Sequence, residues 1–374
     1  MHGGKQITNI KVKLTELEWL PDRTLLIGEP GIGKTEYVKR IAKKEATKLG
    51  RTFVDLREAD KEMLEDILHH PEKYYVYLRV LATHVFPEDI NLPRFENNEN
   101  NRYVEFITPK ALHIMTLKGI AGLLFLDELS NVQRDDQMAM YYSLILEKEF
   151  GWGAKLSPNI KVIAAANDQE WSELARGLPK PLRNRMIVLY VTAPTVEEWI
   201  QFMNQEHGED WDKLTAAYLM MYPEDFIRAP PQDDGFTAFP TPRSWTTLAL
   251  TLKQLENQNL REQNLREAIV VGTVGPEVAA KFITVIRDAT KLPEIIKMLE
   301  REPTHFKELT VTEKILVIHY LASHYDEYIN IISHLEDEYL IMLIMLIPQQ
   351  KRLQFLAHNR DIAKKVAHRI ASIQ

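Results

Sequence analysis

The chain has 374 residues, 45% hydrophobic and 26% charged, and its 46 Lys and Arg against 53 Asp and Glu leave a formal charge of −7. This length suits about two or three packed units, and the negative balance excludes a general attraction to phosphate backbones, so any basic function must be local. The absence of cysteine excludes disulfides, thiolate chemistry and zinc sites of the Cys type, and is compatible with a reducing, cytoplasmic setting.

The N-terminal Met1-His2-Gly3-Gly4-Lys5-Gln6 lacks the apolar core of a signal peptide. From there, short β-rich runs at 24–27, 52–56, 74–80, 123–126, 162–166 and 187–191 alternate with amphipathic patterns at 36–48, 61–69, 109–117 and 136–147. That alternation predicts an α/β unit with a parallel sheet and crossover helices. After Pro194 the strand signals mostly stop. Helical patterns follow at 196–203, 213–221, 244–260 and 265–271, with a Pro/Asp-rich loop or linker at 228–235 and further helices from Pro276 onward. The apolar run 340–347 ends at Pro348 and is too short to span a bilayer, so it reads as a buried helix, with Met342 and Met345 as core. The 12 histidines show no metal-ligand spacing.

Gly28-Glu29-Pro30-Gly31-Ile32-Gly33-Lys34-Thr35 matches G-x-x-x-x-G-K-[ST], between the expected strand 24–27 and a helical pattern. Glycines let backbone N–H groups turn toward a phosphate, a helix N-terminus adds partial positive charge, Lys34 reaches phosphate oxygens and the Thr35 hydroxyl suits Mg²⁺. Further on, the apolar run 122–126 ends in Asp127-Glu128. A carboxylate at that strand end, Asp127, would hold Mg²⁺, and Glu128 would polarise a water. A second buried run, 161–166, ends in Asn167, which could orient that water or simply make a strand-end turn.

The order of these motifs resembles that of the AAA+ ATPases, and within them the MoxR-type group. Leu124-Phe125-Leu126-Asp127-Glu128-Leu129, Ala164-Ala165-Ala166-Asn167, Leu182-Arg183-Asn184-Arg185 and Phe239-Pro240-Thr241-Pro242-Arg243-Ser244-Trp245 carry the resemblance together with the glycine loop, and Pro87-Glu88-Asp89-Ile90-Asn91-Leu92-Pro93 adds to it. The resemblance implies a P-loop NTPase αβα sandwich over 1–194, an α-helical lid over 195–290 and a C-terminal helical region over 291–374. It also implies ATP with Mg²⁺ at subunit boundaries of a hexameric ring. Position by position, it makes Lys34 and Thr35 the Walker A pair, Asp127 and Glu128 Walker B, Asn167 sensor 1, Arg185 the arginine finger and Arg243 sensor 2. Met186 stands where relatives carry Phe. Whether Arg243 serves its own subunit or a neighbour's stays open, and the alternative for it is stacking on Trp245 or an ion pair.

The resemblance further makes 80–110 and 149–156 insertions that face a pore or substrate. Within the polar stretch 96–102, residues 98–101 read alone are a solvated loop. Partners implied are a von Willebrand factor A-like protein and a protein client, with no membrane. A nucleic-acid-directed motor and a nucleotide switch are the competing functions. The basic residues of 34–51 and 351–369 read as solvated helix faces, and Lys180 and Arg183 as surface ion-pair partners.

Overall fold

Aliphatic runs in the first half become parallel strands, as segments covered on both faces must be apolar throughout. The computed structural model describes residues 10–90, 92–98, 101–151, 154–167, 177–231, 235–260 and 262–370, in two units, Met1–Ala193 and Pro194–Gln374. The first unit contains β1 (Lys11–Lys13), β2 (Thr24–Gly28), α1 (Lys34–Lys48), β3 (Thr52–Asp55), α2 (Lys61–His69), β4 (Tyr74–Leu81) and α3 (Pro87–Ile90). It continues with β5 (Leu92–Asn98), β6 (Asn101–Ile107), α4 (Lys110–Ile114), β7 (Ala121–Asp127), α5 (Asp135–Glu147), β8 (Glu149–Phe150), β9 (Ala154–Lys155), β10 (Ile160–Asn167), α6 (Lys180–Arg183) and β11 (Ile187–Thr192). Seven of the strands form one sheet in the order β1-β11-β2-β10-β7-β4-β3, every pair parallel. Flanking helices complete the αβα architecture of the P-loop NTPase class.

All of β7 is buried, which explains why its sequence shows no alternation. The core packed around it includes Leu25, Val76, Leu124, Leu126, Tyr141, Val162 and Ala164. The expected strands all form, within a residue or two of their predicted ends. What the sequence did not separate is the insertion 80–110. Within it, Asn98 and Asn101, which bound the stretch read alone as a loop, pair with each other in an antiparallel β5–β6 hairpin. Leu92, Phe95, Val104 and Ile107 of that hairpin are exposed. The second insertion forms the short β8–β9 hairpin. Residues 1–9, 91, 99–100, 152–153 and 232–234, on which parts of these readings fall, lie outside the described residues.

The second unit is helical: α7 (Val196–His207), α8 (Lys213–Met221), α9 (Pro242–Asn257), α10 (Gln263–Val274), α11 (Pro276–Asp288), α12 (Leu292–Arg301), α13 (Val311–Ser323), α14 (Ile329–Ser333), α15 (Asp337–Leu346), α16 (Gln349–His358) and α17 (Arg360–Ile370). One continuous core runs from Val196 to Val366, so 195–290 and 291–374 share it. Met342 and Met345 of α15 lie in that core. Among the described residues, no helix is long and apolar enough to cross a membrane. Arg352, expected in solvent, instead donates from Nη2 to the carbonyls of Met345 (3.0 Å) and Ile347 (3.2 Å). It satisfies carbonyls that the end of α15 leaves unpaired.

At the centre of this unit, Trp245 and Tyr218 are buried with ring centroids 5.7 Å apart, and the Trp245 indole donates to the Asp225 carbonyl at 3.0 Å. The Asp225 carboxylate is wholly buried and accepts from the Tyr218 hydroxyl, Arg228 and Lys281. Burial, and then the bond to Asp225, push the Tyr218 phenol well above its ordinary range. Removing the acid strands three donors at once. Asp225→Ala is therefore expected to destabilise the protein by at least about 2 kcal/mol, read as a lower urea midpoint with the slope unchanged.

Candidate phosphate and metal site

The loop that follows β2 folds as it does because two of its glycines occupy conformations that side chains resist. Gly31 (φ 76°) and Gly33 (φ 96°) are left-handed, and Gly33 caps α1. Gly28 is required for another reason: a Cβ there would lie 2.6 Å from the Val191 carbonyl oxygen on neighbouring β11. Between them Ile32 anchors the loop by burying its side chain, while Pro30 restricts the turn and Glu29 offers its carbonyl. The result is a backbone concavity at the N-terminus of α1, where N–H groups and the helix dipole favour an anion.

Lys34 is 7% exposed. Its ammonium donates to the carbonyls of Gly28 and Glu29, each at 2.8 Å, and to Asn167 Oδ1 at 3.1 Å. The strand register explains the last contact, because Asn167 of β10 stands opposite Gly28 of β2. On the far side of β10 lies β7, whose terminal Asp127 receives three elements. Its Oδ2 accepts from the Thr35 hydroxyl at 2.9 Å and from Arg79 Nε and Nη2 at 2.9 and 2.8 Å, and its Oδ1 accepts the Glu128 N–H at 3.0 Å. Lys34, Thr35, Asp127 and Asn167 are thus brought together.

A threonine hydroxyl that gives its proton to a carboxylate keeps its oxygen lone pairs for a cation. The donor set of Thr35 and Asp127, all oxygen, fits a hard divalent ion such as Mg²⁺. Among the described residues there is no cluster of three or more His, Asp or Glu that would hold a metal without help from phosphate. Glu128 departs from the strand with a left-handed backbone (φ 58°, ψ 35°), a conformation rare for Glu and of the kind found at functional sites. Asn131 donates to its Oε2 at 3.4 Å, and Ser130 Oγ accepts the Asn167 N–H at 3.1 Å. Arg79, Ser130 and Asn131 were not singled out from the sequence. The last two were detectable, since they lie within three residues of the Asp-Glu pair.

Arg185 is not part of this cluster. It immediately precedes Met186 and β11, whose first residue, Ile187, pairs with Thr24 at the start of β2. The phosphate loop follows the other end of β2, roughly 13 Å along the strand. Arg185 is exposed and, among the described residues, its guanidinium has no partner. Lys180 and Arg183, expected to form surface ion pairs, form none among the described residues and line an open depression with Pro181 and Asn184. Arg243 belongs to the second unit, in the first turn of α9, which Thr241 caps through Ser244. Its side chain is exposed and, among the described residues, forms neither an ion pair nor a cation–π contact, while Trp245 is fully buried and bonded to Asp225.

No protein-family model and no curated protein matches the chain. Among solved structures, it is similar to AMPPCP-bound DnaA from Aquifex aeolicus (13% identity, 96% of this chain, 88% of that one, TM-score 0.31). It is also similar to the Thermotoga maritima RuvB Holliday junction branch migration motor (17%, 86% and 79%, TM-score 0.30) and to NtrX from Brucella abortus (13%, 72% and 63%, TM-score 0.32). The chain thus spans less than two thirds of the NtrX chain. The residues above carry the functional reading by themselves. If the approach of β2 to β11 shapes the loop, Gly28→Ala should lower stability by about 1–3 kcal/mol, and a thermal melt matching wild type would refute the close contact.

Proposed function

We propose that the chain is an ATP-hydrolysing enzyme of the AAA+ type, MoxR-like in its motif order, which assembles into a six-membered ring and uses turnover to remodel or assemble a protein client. One observation carries this reading: three separate stretches of sequence meet through direct hydrogen bonds, Lys34 with Asn167 and Thr35 with Asp127. In this reading the N-terminus of α1 and the Lys34 ammonium grip the phosphate chain. Thr35 and Asp127 would hold Mg²⁺, which would supply charge neutralisation to the phosphates. Glu128, lifted out of the strand by its left-handed backbone, takes the proton of the attacking water, and Asn167 orients that water.

Arg185 stands at the opposite end of β2 and β11 from its own phosphate loop, which supports its acting on a neighbouring subunit's phosphate as charge develops there. A free guanidinium at an exposed turn suits that use better than a structural one. Arg243, exposed and unpaired among the described residues in the first turn of α9, suits the same chemistry: a cation there opposes the helix dipole unless an anion arrives. A von Willebrand factor A-like protein is the partner we associate with this function.

Glu128→Gln should bind ATP with wild-type affinity and lose turnover by about a hundredfold or more; a variant that still turns over near the wild-type rate would remove Glu128 from this role. Assembly is tested by mixing. Rings assembled from Lys34→Ala and Arg185→Ala subunits should regain part of the activity each lacks alone, where an intact arginine meets an intact loop. Mixed rings, verified by mass, that stay inactive would confine Arg185 to a structural role.

A further inference from the structure

The contact between Arg79 and Asp127 is an ion pair of the site that the proposed chemistry does not use. Arg79 sits on β4 opposite Phe125 of β7, and Leu81 stands opposite Asp127. Alternation along paired strands therefore puts Arg79 and Asp127 on the same face of the sheet. The guanidinium reaches forward and places Nε and Nη2 on the single oxygen Oδ2, which also accepts the Thr35 hydroxyl. A carboxylate oxygen has two lone pairs, and three donors fill them. Oδ1 is already engaged by the Glu128 N–H. A metal ion that approaches Asp127 at Oδ2 must displace Arg79, and one held by Thr35 with water between it and Asp127 still meets the repulsion of a guanidinium a few ångströms away.

We propose that Arg79 is a built-in competitor of the divalent cation, neutralising Asp127 when no metal is bound and releasing Oδ2 when Mg²⁺ arrives with nucleotide. The inference rests on the nucleotide-site reading above. Two features make release feasible. The Arg79 side chain is 35% exposed against 8% for Asp127, so the arginine has room to move while the acid stays. An acceptor also waits nearby: Tyr77, two residues earlier on the same face of β4, has a buried hydroxyl with no hydrogen-bond partner. Its phenol is pushed up by burial first and then by Asp55, and it feels both Arg79 and Asp127. An unpartnered buried hydroxyl is costly, and a guanidinium N–H that moved onto it would remove that cost.

Mn²⁺ serves as the probe, its free ion counted by electron paramagnetic resonance in the presence of saturating ADP. Arg79→Gln should bind Mn²⁺ about tenfold more tightly than wild type, since a positive charge leaves the metal's surroundings. Its affinity for ADP without metal, and its melting temperature without ligands, are measured alongside to establish that it is folded. Equal or weaker Mn²⁺ binding by R79Q overturns the proposal and leaves Arg79 as a clamp that only positions Asp127. Should R79Q not fold, Tyr77→Phe carries the test, because a hydroxyl without a partner can be removed with little loss; several-fold weaker Mn²⁺ binding is expected, and unchanged binding overturns the proposal. A wild-type protein that takes up neither ADP nor Mn²⁺ would instead reject the nucleotide-site reading itself.

Discussion

The Asp127 carboxylate ties the first turn of α1 to two elements that the sheet and the chain already bring to it. Thr35 belongs to the first turn of α1, Arg79 to β4, and the Glu128 amide to the turn that leaves β7. A buried carboxylate is tolerated only with such partners, since an unpaired charge would cost several kcal/mol. The same bonds fix the distance between the phosphate loop and the acidic strand end. β10 lies between β2 and β7 in the sheet, and its terminal Asn167 closes the remaining gap by bonding Lys34. The site is therefore a row of strand ends, and its precision derives from the sheet.

Most of this was legible from residues whose chemistry is local. A glycine loop between an apolar strand and a helix specifies its own conformation, and Asp127, Glu128 and Asn167 advertise themselves as polar residues ending apolar runs. Arg79 was not legible. Between Leu78 and Val80 it is a lone charged residue in an apolar strand, and its meaning depends on the cross-strand register with β7, which no single-chain pattern displays. The β5–β6 hairpin escaped for a related reason: both of its faces are open to solvent at Leu92, Phe95, Val104 and Ile107, so burial imposes no alternation on its sequence. Arg352 was misread because a basic residue in a basic stretch gives no sign that helix-end carbonyls stand within reach of it.

Charge is distributed to match these roles. Cations near carboxylates are paired, as Lys39 of α1 is with Asp55 and Glu58. By contrast, Lys180, Arg183 and Arg185 share one short turn without a counter-ion among the described residues, in a chain whose net charge is −7. Such a group is soluble by itself and becomes informative only when an anion is presented to it, which makes the local arrangement, not the overall balance, the relevant electrostatic quantity.

The three-residue strand β1 has a bearing on the far end of the strand that follows that turn. It is the outermost strand of the sheet, and it covers β11 from Tyr190 to Thr192. Without it, the row of N–H and C=O groups along β11 would become an open edge, a template for pairing with any extended chain. Residues 11–13 thus protect the strand that Arg185 introduces. A fusion tag or a trimmed start that disturbed them would invite strand-to-strand adhesion at the end of β11 away from the arginine, and could change how copies of the protein associate while leaving every charged side chain of the site intact.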